Sequence, residues 1–243
     1  MLAGWFSKMR IGNKLALAFT VVLGMTVLLG GFAVFTLSKV NQASTDLALK
    51  WMPSVGHTTN MRTAILEFRE FEVKHARAED ASYMAEYEDK MKAALAVVTD
   101  QLAGYEKLVT GAEEQKELTV FKKSWVDYLA INKNVVGLSR ANNQKDAREI
   151  GDGAAKMSSD DSIAALDRLI AFNFEGGKQA DERADVTYNG ARMWTMGLLI
   201  GTVLIGALLA LFITRDLLRT LGGEPAYAAH IADRIAEGDL AVE

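Results

Sequence analysis

The chain has no cysteine, two prolines and three histidines in 243 residues. Without cysteine it can build neither a disulfide framework nor a thiolate metal site. The histidines, His57, His75 and His230, are far apart in sequence. There is no His-Glu-x-x-His pair, no phosphate-cradling loop ending in Gly-Lys-Ser/Thr, and no Gly-x-Ser-x-Gly elbow. The usual nucleophile–base and metal-hydrolysis patterns are therefore missing, so the expectation is a chain without enzymatic activity, metal or cofactor. A basic excess is missing too. The formal net charge is -4, which lacks the electrostatic footprint of a nucleic-acid binder.

Charge itself is absent from two long stretches, 15–38 and 193–214. Lys14 and Lys39 bound the first; Arg192 and Arg215 bound the second. Each is long enough to cross a hydrocarbon core of roughly 30 Å as a helix of about 20 residues. Lys8, Arg10 and Lys14 precede the first run with no acid among them, which favours a cytoplasmic N-terminus. The run is longer than a signal-peptide core and lacks a small-x-small cleavage pattern, so an uncleaved anchor is expected. Arg215 and Arg219 after the second run fit a return to the cytoplasm. The expected segments are a cytoplasmic 1–14, a first span 15–37, an extracytoplasmic 38–192, a second span 193–214 and a cytoplasmic 215–243. Gly197, Gly201 and Gly206 would permit close packing of the second span.

Residues 38–192 carry one proline, Pro53, and read as helix almost throughout. Apolar residues recur at three- and four-residue spacing in four blocks. The first is Val40, Leu47, Trp51, Met61, Ile65 and Phe68. Then come Tyr87, Met91, Ala94, Val98, Tyr105 and Leu108, followed by Leu118, Phe121, Trp125, Tyr128 and Val135. The fourth is Met157, Ile163, Leu166 and Ile170. Breaks fall at Ala78–Ser82, at Thr110-Gly111 and at Asn142-Asn143. Thr110 is expected to cap a helix starting near Ala112, and Asn143 the next one. Short connections make neighbours antiparallel, so the expected fold is all-α, an up-down-up-down four-helix bundle. Pro53 would kink the first helix or leave it extended.

Two spans around such a bundle, followed by Arg215-Asp-Leu-Leu-Arg-Thr-Leu-Gly-Gly-Glu-Pro225 and Ile235-Ala-Glu-Gly-Asp-Leu240, resemble the input half of methyl-accepting chemotaxis proteins. The tail resembles the first helix and connector of a HAMP domain. The resemblance implies a homodimeric receptor of the bacterial inner membrane with a periplasmic sensor domain. It also implies a second HAMP helix and an output module beyond Glu243, reaching a cytoplasmic kinase and adaptor. Sensor histidine kinases and nucleotide cyclases share this input half, and some bundles sense through a separate binding protein, so these readings stay open.

The resemblance further implies a small carboxylate ligand, an organic acid or amino acid, met by arginines on the first helix and polar groups on the last. Arg62 and Arg69 stand one heptad apart on that helix, beside Met61 and Phe68, and their forked donors suit a carboxylate; pairing with Glu67, Glu70 or Glu72 is the plain alternative. His75 lies one heptad beyond Phe68, near the distal turn, where solvation is its ordinary fate. Asn132 occupies a stripe position between Tyr128 and Val135, where a buried amide must find partners. Ser158, Ser159 and Ser162, with Asp160 and Asp161, are expected to interrupt the fourth helix opposite this zone. Arg62, Arg69, His75, Asn132, Ser158 and Ser159 are the candidate ligand residues.

Overall fold

The computed structural model describes residues 9–221. The HAMP-like Pro225 and Ile235–Leu240, and His230, lie outside the described residues. Among those described, the elements are α1 (Ile11–Asp46), a π turn (Leu47–Trp51), α2 (Met52–Arg77), α3 (Ala81–Glu106), α4 (Ala112–Arg140), α5 (Gln144–Ile150), a second π turn (Gly151–Ala155) and α6 (Lys156–Leu221). The chain divides into two compact units. One is Asn41–Asp185; the other is formed by the segments on either side.

Asn41–Asp185 is an all-α four-helix bundle. Its core follows a heptad stripe along each helix. On α2 the stripe is Ser54, Thr58, Met61, Ile65, Phe68, Glu72 and His75; on α4 it is Glu114, Leu118, Phe121, Trp125, Tyr128, Asn132, Val135 and Ser139. Phe68, Trp125 and Tyr128 pack edge to face or tilted, with ring centroids 5.5–5.7 Å apart. Burial of such rings is the main stabilising term in a bundle of this size. The fourth stripe differs from the one expected from large apolar residues. Met157 is exposed, while Ala155, Ser159, Ser162, Ala165, Leu166, Leu169 and Asn173 are buried. Small side chains make up much of this stripe, whereas the α4 stripe carries the aromatic rings. Near the other end a Cβ at Gly176 would collide with the Trp51 ring.

The helix ends follow local chemistry. Asn142 adopts a left-handed φ of 57°. Its N–H and that of Asn143 donate to the carbonyls of Ser139 and Leu138, each at 3.0 Å, closing α4 in a Schellman turn. The Asn143 side chain then accepts from the Asp146 N–H, so one residue pair ends one helix and starts the next. Before α4 the expected cap moves by one residue. Gly111, not Thr110, holds the N-cap position, and the Thr110 N–H instead donates to Glu114 Oε2 at 3.4 Å. Before α3, Asp80 caps through the Ser82 N–H at 2.7 Å, which holds its carboxyl below the usual range.

Pro53 neither breaks nor extends the chain. The helix runs unbroken from Ile11 to Arg77, and the π turn directly before Pro53 absorbs it. Proline cannot donate the helical bond and crowds the carbonyl four residues back; a widened turn, with Met52 N–H bonded to the Leu47 carbonyl, relieves both problems. The fourth helix is likewise continuous across Ser158–Ser162. Its irregularity lies earlier, in the Gly-rich π turn Gly151–Ala155. Serine hydroxyls satisfy themselves on the preceding turn, as Ser162 does on the Ser158 carbonyl at 3.0 Å, so they leave the helix intact.

In the flanking unit, two helical runs are long and apolar enough to cross a membrane. Their most apolar windows are 0% and 6% buried, unlike the mostly buried core helix of a soluble domain. Phe19, Val27, Leu28, Leu204 and Leu208 are exposed. Within this unit Lys14 pairs with Asp216 at 2.5 Å. Of the three span glycines, Gly206 has Val22 beside it, 3.8 Å from where a Cβ would sit.

Candidate functional site

The heptad stripes carry buried polar residues where simple packing would favour leucine. Several of them, Glu72, His75, Asn132, Glu114 and Ser139 among them, are hydrogen-bonded and form polar layers across the bundle. The central layer is built on Glu72, which is 0% exposed. Its Oε1 pairs with Arg69 Nη1, and its Oε2 accepts from Asn132 Nδ2 at 2.6 Å. Arg69 Nη2 donates to the Gly151 carbonyl at 2.6 Å. That carbonyl also accepts the Lys156 N–H across the π turn. The layer therefore ties α2 to α4 and to the head of the fourth helix. Burial pushes the Glu72 carboxyl above its ordinary value, against the pull of Asn132 and Arg69. The Tyr128 hydroxyl is buried in the same region with no hydrogen-bond partner among the described residues. Burial first, then the Glu72 charge, keeps it protonated.

About one turn outward along α2 lies a second layer. His75 is fully buried rather than solvated at the tip, because α3 and α4 close over it. Its Nε2 meets Glu88 Oε1 at 2.9 Å, and its backbone carbonyl accepts from Ser139 Oγ at 2.8 Å. Arg140 clasps Glu88 from α4, with Nε at 2.6 Å from Oε1 and Nη2 on Oε2. Burial draws the Glu88 carboxyl upward, but the bonds from Arg140 and His75 outweigh it and hold the carboxyl below its ordinary value. A third layer, towards the other end, joins Tyr105, Glu114 and Asn173. The Tyr105 hydroxyl donates to Glu114 at 3.0 Å and accepts from Asn173 at 2.8 Å.

The candidate residues thus separate. Arg69 and Asn132 meet on Glu72, and His75 belongs to the adjacent layer. Arg62 pairs with Asp167 at 2.7 Å on an exposed surface, away from that network. Ser159 is buried and Ser158 half-buried within α6; neither bonds to the Glu72 layer. Each arginine has found a carboxylate within the chain: Arg62 takes Asp167, and Arg69 takes Glu72. Sequence reading passed over Glu72 as a core residue, and Glu88, Arg140 and the Gly151 carbonyl altogether. Glu72 was detectable: it continues the spacing Met61, Ile65, Phe68 by four residues.

A groove of about 570 Å³ opens between α3 and α4 beside these layers. Phe68, Met91, Leu95 and Val136 supply apolar lining, Asn132 contributes its amide, and Lys92, Lys133, Glu88 and Arg140 stand around it. No metal-holding group of His, Asp and Glu occurs among the described residues.

Residues 8–188 match the family described as a four helix bundle sensory module for signal transduction. The chain is also 23% identical over 233 residues to the "Putative sensory transducer protein YvaQ" of Bacillus subtilis (strain 168). That alignment covers 96% of this chain and 40% of the relative's length. No solved structure matches the chain. The match extends over the whole bundle with its polar layers and through the first apolar helix, and on that extent the chain belongs to the family of four-helix-bundle sensory modules for signal transduction.

Proposed function

We propose that this chain is the input half of a transmembrane chemotaxis receptor. Residues 38–192 would face the periplasm between inner-membrane spans at 15–37 and 193–214, and 215–243 would begin a HAMP connector. The bundle would bind a small organic acid or amino acid directly, in a homodimer, and bias a cytoplasmic signalling domain that acts on a kinase and its adaptor. The observation that carries this reading is the fourth helix. It runs without a break from Gln144 to Arg219. Its head, at Gly151, is bonded to Arg69 of the central polar layer, and its apolar window follows in the same helix. A change in that layer acts on the helix that enters the membrane. Its size is bounded by the ligand's differential affinity for the two arrangements.

The test is a chimera in which this chain replaces the input half of a receptor whose kinase output is measurable. A panel of dicarboxylates, tricarboxylates, monocarboxylates and amino acids is applied to membranes carrying it. At least one compound is expected to change kinase activity in a saturable way. A folded, inserted chimera that answers none of them, while responding to periplasmic extract, would replace direct binding by sensing through a partner protein.

A further inference from the structure

The α3–α4 groove has the chemistry of a ligand site and lies apart from the arginines first considered. Its floor is apolar, with Phe68, Met91 and Leu95. Its volume falls within the roughly 300–1,000 Å³ usual for small-molecule sites. The cations around it are unequal. Arg140 is spent on Glu88, which also holds His75. Lys92 and Lys133 are exposed and enter no ion pair among the described residues. The contacts Glu88–Arg140, Asn132–Met91 and Lys122–Glu106 fix the antiparallel register of α3 and α4. At that register the two lysines stand on opposite walls within about one turn of each other. Asn132 lines the same groove; its NH₂ is held by Glu72, and its Oδ1 takes no bond among the described residues.

We propose that this groove binds a small amphipathic carboxylate, its acid group between Lys92 and Lys133 and its apolar body against Phe68, Met91 and Leu95. The inference rests on the sensory reading and names the site and ligand class for it. The excess of positive charge selects an anion, and the apolar floor rejects compact, highly hydrated ones such as sulfate or a tricarboxylate. Asn132 gives the site an outlet. A ligand touching it meets a chain of bonded groups through Glu72 and Arg69 to the Gly151 carbonyl, at the head of the fourth helix.

The experiment uses the whole chain in lipid nanodiscs with ¹³C-methyl-methionine, titrated with hydrocinnamate and octanoate and, as a neutral isostere, hydrocinnamamide. The Met91 methyl signal, assigned through Met91→Leu, is expected to move with at least one acid and not with the amide. Lys92→Gln and Lys133→Gln, both surface changes that leave the core untouched, should each weaken binding about tenfold, the loss expected for one charge-assisted contact. No movement of Met91 with either acid overturns the proposal. So does binding that both glutamine variants leave unchanged. If the receptor chimera answers a small acid equally well with Lys92→Gln and Lys133→Gln, the sensory reading stands and this site is wrong.

Discussion

Glu72 and Glu88 are two carboxylates of one bundle, each clasped by an arginine, and their protonation is pushed in opposite directions. Glu72 is sealed from water and Arg69 is nearly so, with 0% and 14% of their side chains exposed. Desolvation there exceeds what the arginine and Asn132 return, and the carboxyl shifts upward. Glu88 and Arg140 keep 24% and 63%. Pairing there costs less dehydration, so the bonds prevail and the carboxyl shifts downward. Access to water, more than the identity of the partner, decides which effect wins.

The comparison breaks most visibly at the arginines. Arg69→Ala leaves a buried carboxylate without its cation and should cost about 3–5 kcal/mol of bundle stability in urea unfolding. The loss should shrink at low pH, where Glu72 takes up a proton. Arg69→Met combined with Glu72→Met should recover much of it, since a packed apolar pair replaces a buried ion pair with little penalty. A small loss in the single variant would mean that water reaches Glu72.

The next effect is the pH dependence, which should have opposite signs at the two sites. Glu72 has a folded value raised above its reference of 4.5. Its contribution is full below that reference and is lost as pH rises through the raised value. Glu88 has a lowered folded value. Its contribution is full above 4.5 and is lost as pH falls through the lowered value. Stability measured against pH should therefore lose its alkaline-side decline in Glu72→Gln and part of its acid-side decline in Glu88→Gln. Two variants with the same sign of change would sink the comparison.

The smallest effect is expected for Arg140→Ala. Its pair with Glu88 is largely exposed, so truncation should cost far less than Arg69→Ala in the same urea unfolding, with His75 still holding Glu88. A cost equal to that of Arg69→Ala would show that exposure does not set the scale here.

Much of the fold was legible in the order of residues. The turns at Ala78–Ser82 and Asn142-Asn143 are local chemistry, and the aromatic stripe of α4 is a periodicity that large side chains announce. The fourth stripe was harder to read. Its inward residues include Ala155, Ser159, Ser162 and Asn173 beside Leu166 and Leu169, and small or polar side chains do not announce a buried stripe by their spacing. The candidate site was legible in part. Asn132 stood out as a polar residue on an apolar stripe. Arg62 and Arg69 share a heptad position, yet one ends on the surface and the other inside.

The sequence by itself determined the helices, their turns, the two apolar runs and the inward face of three helices, because each depends on neighbours within a few residues. The tertiary structure decided the partners: Glu72 for Arg69 and Asn132, Glu88 for His75 and Arg140, Asp167 for Arg62. It also decided that two lysines beside an apolar groove, Lys92 and Lys133, enter no ion pair among the described residues. Charges and amides pair with whatever the packing of distant segments brings within about 3 Å, and that distance is set by the bundle's register rather than by local spacing.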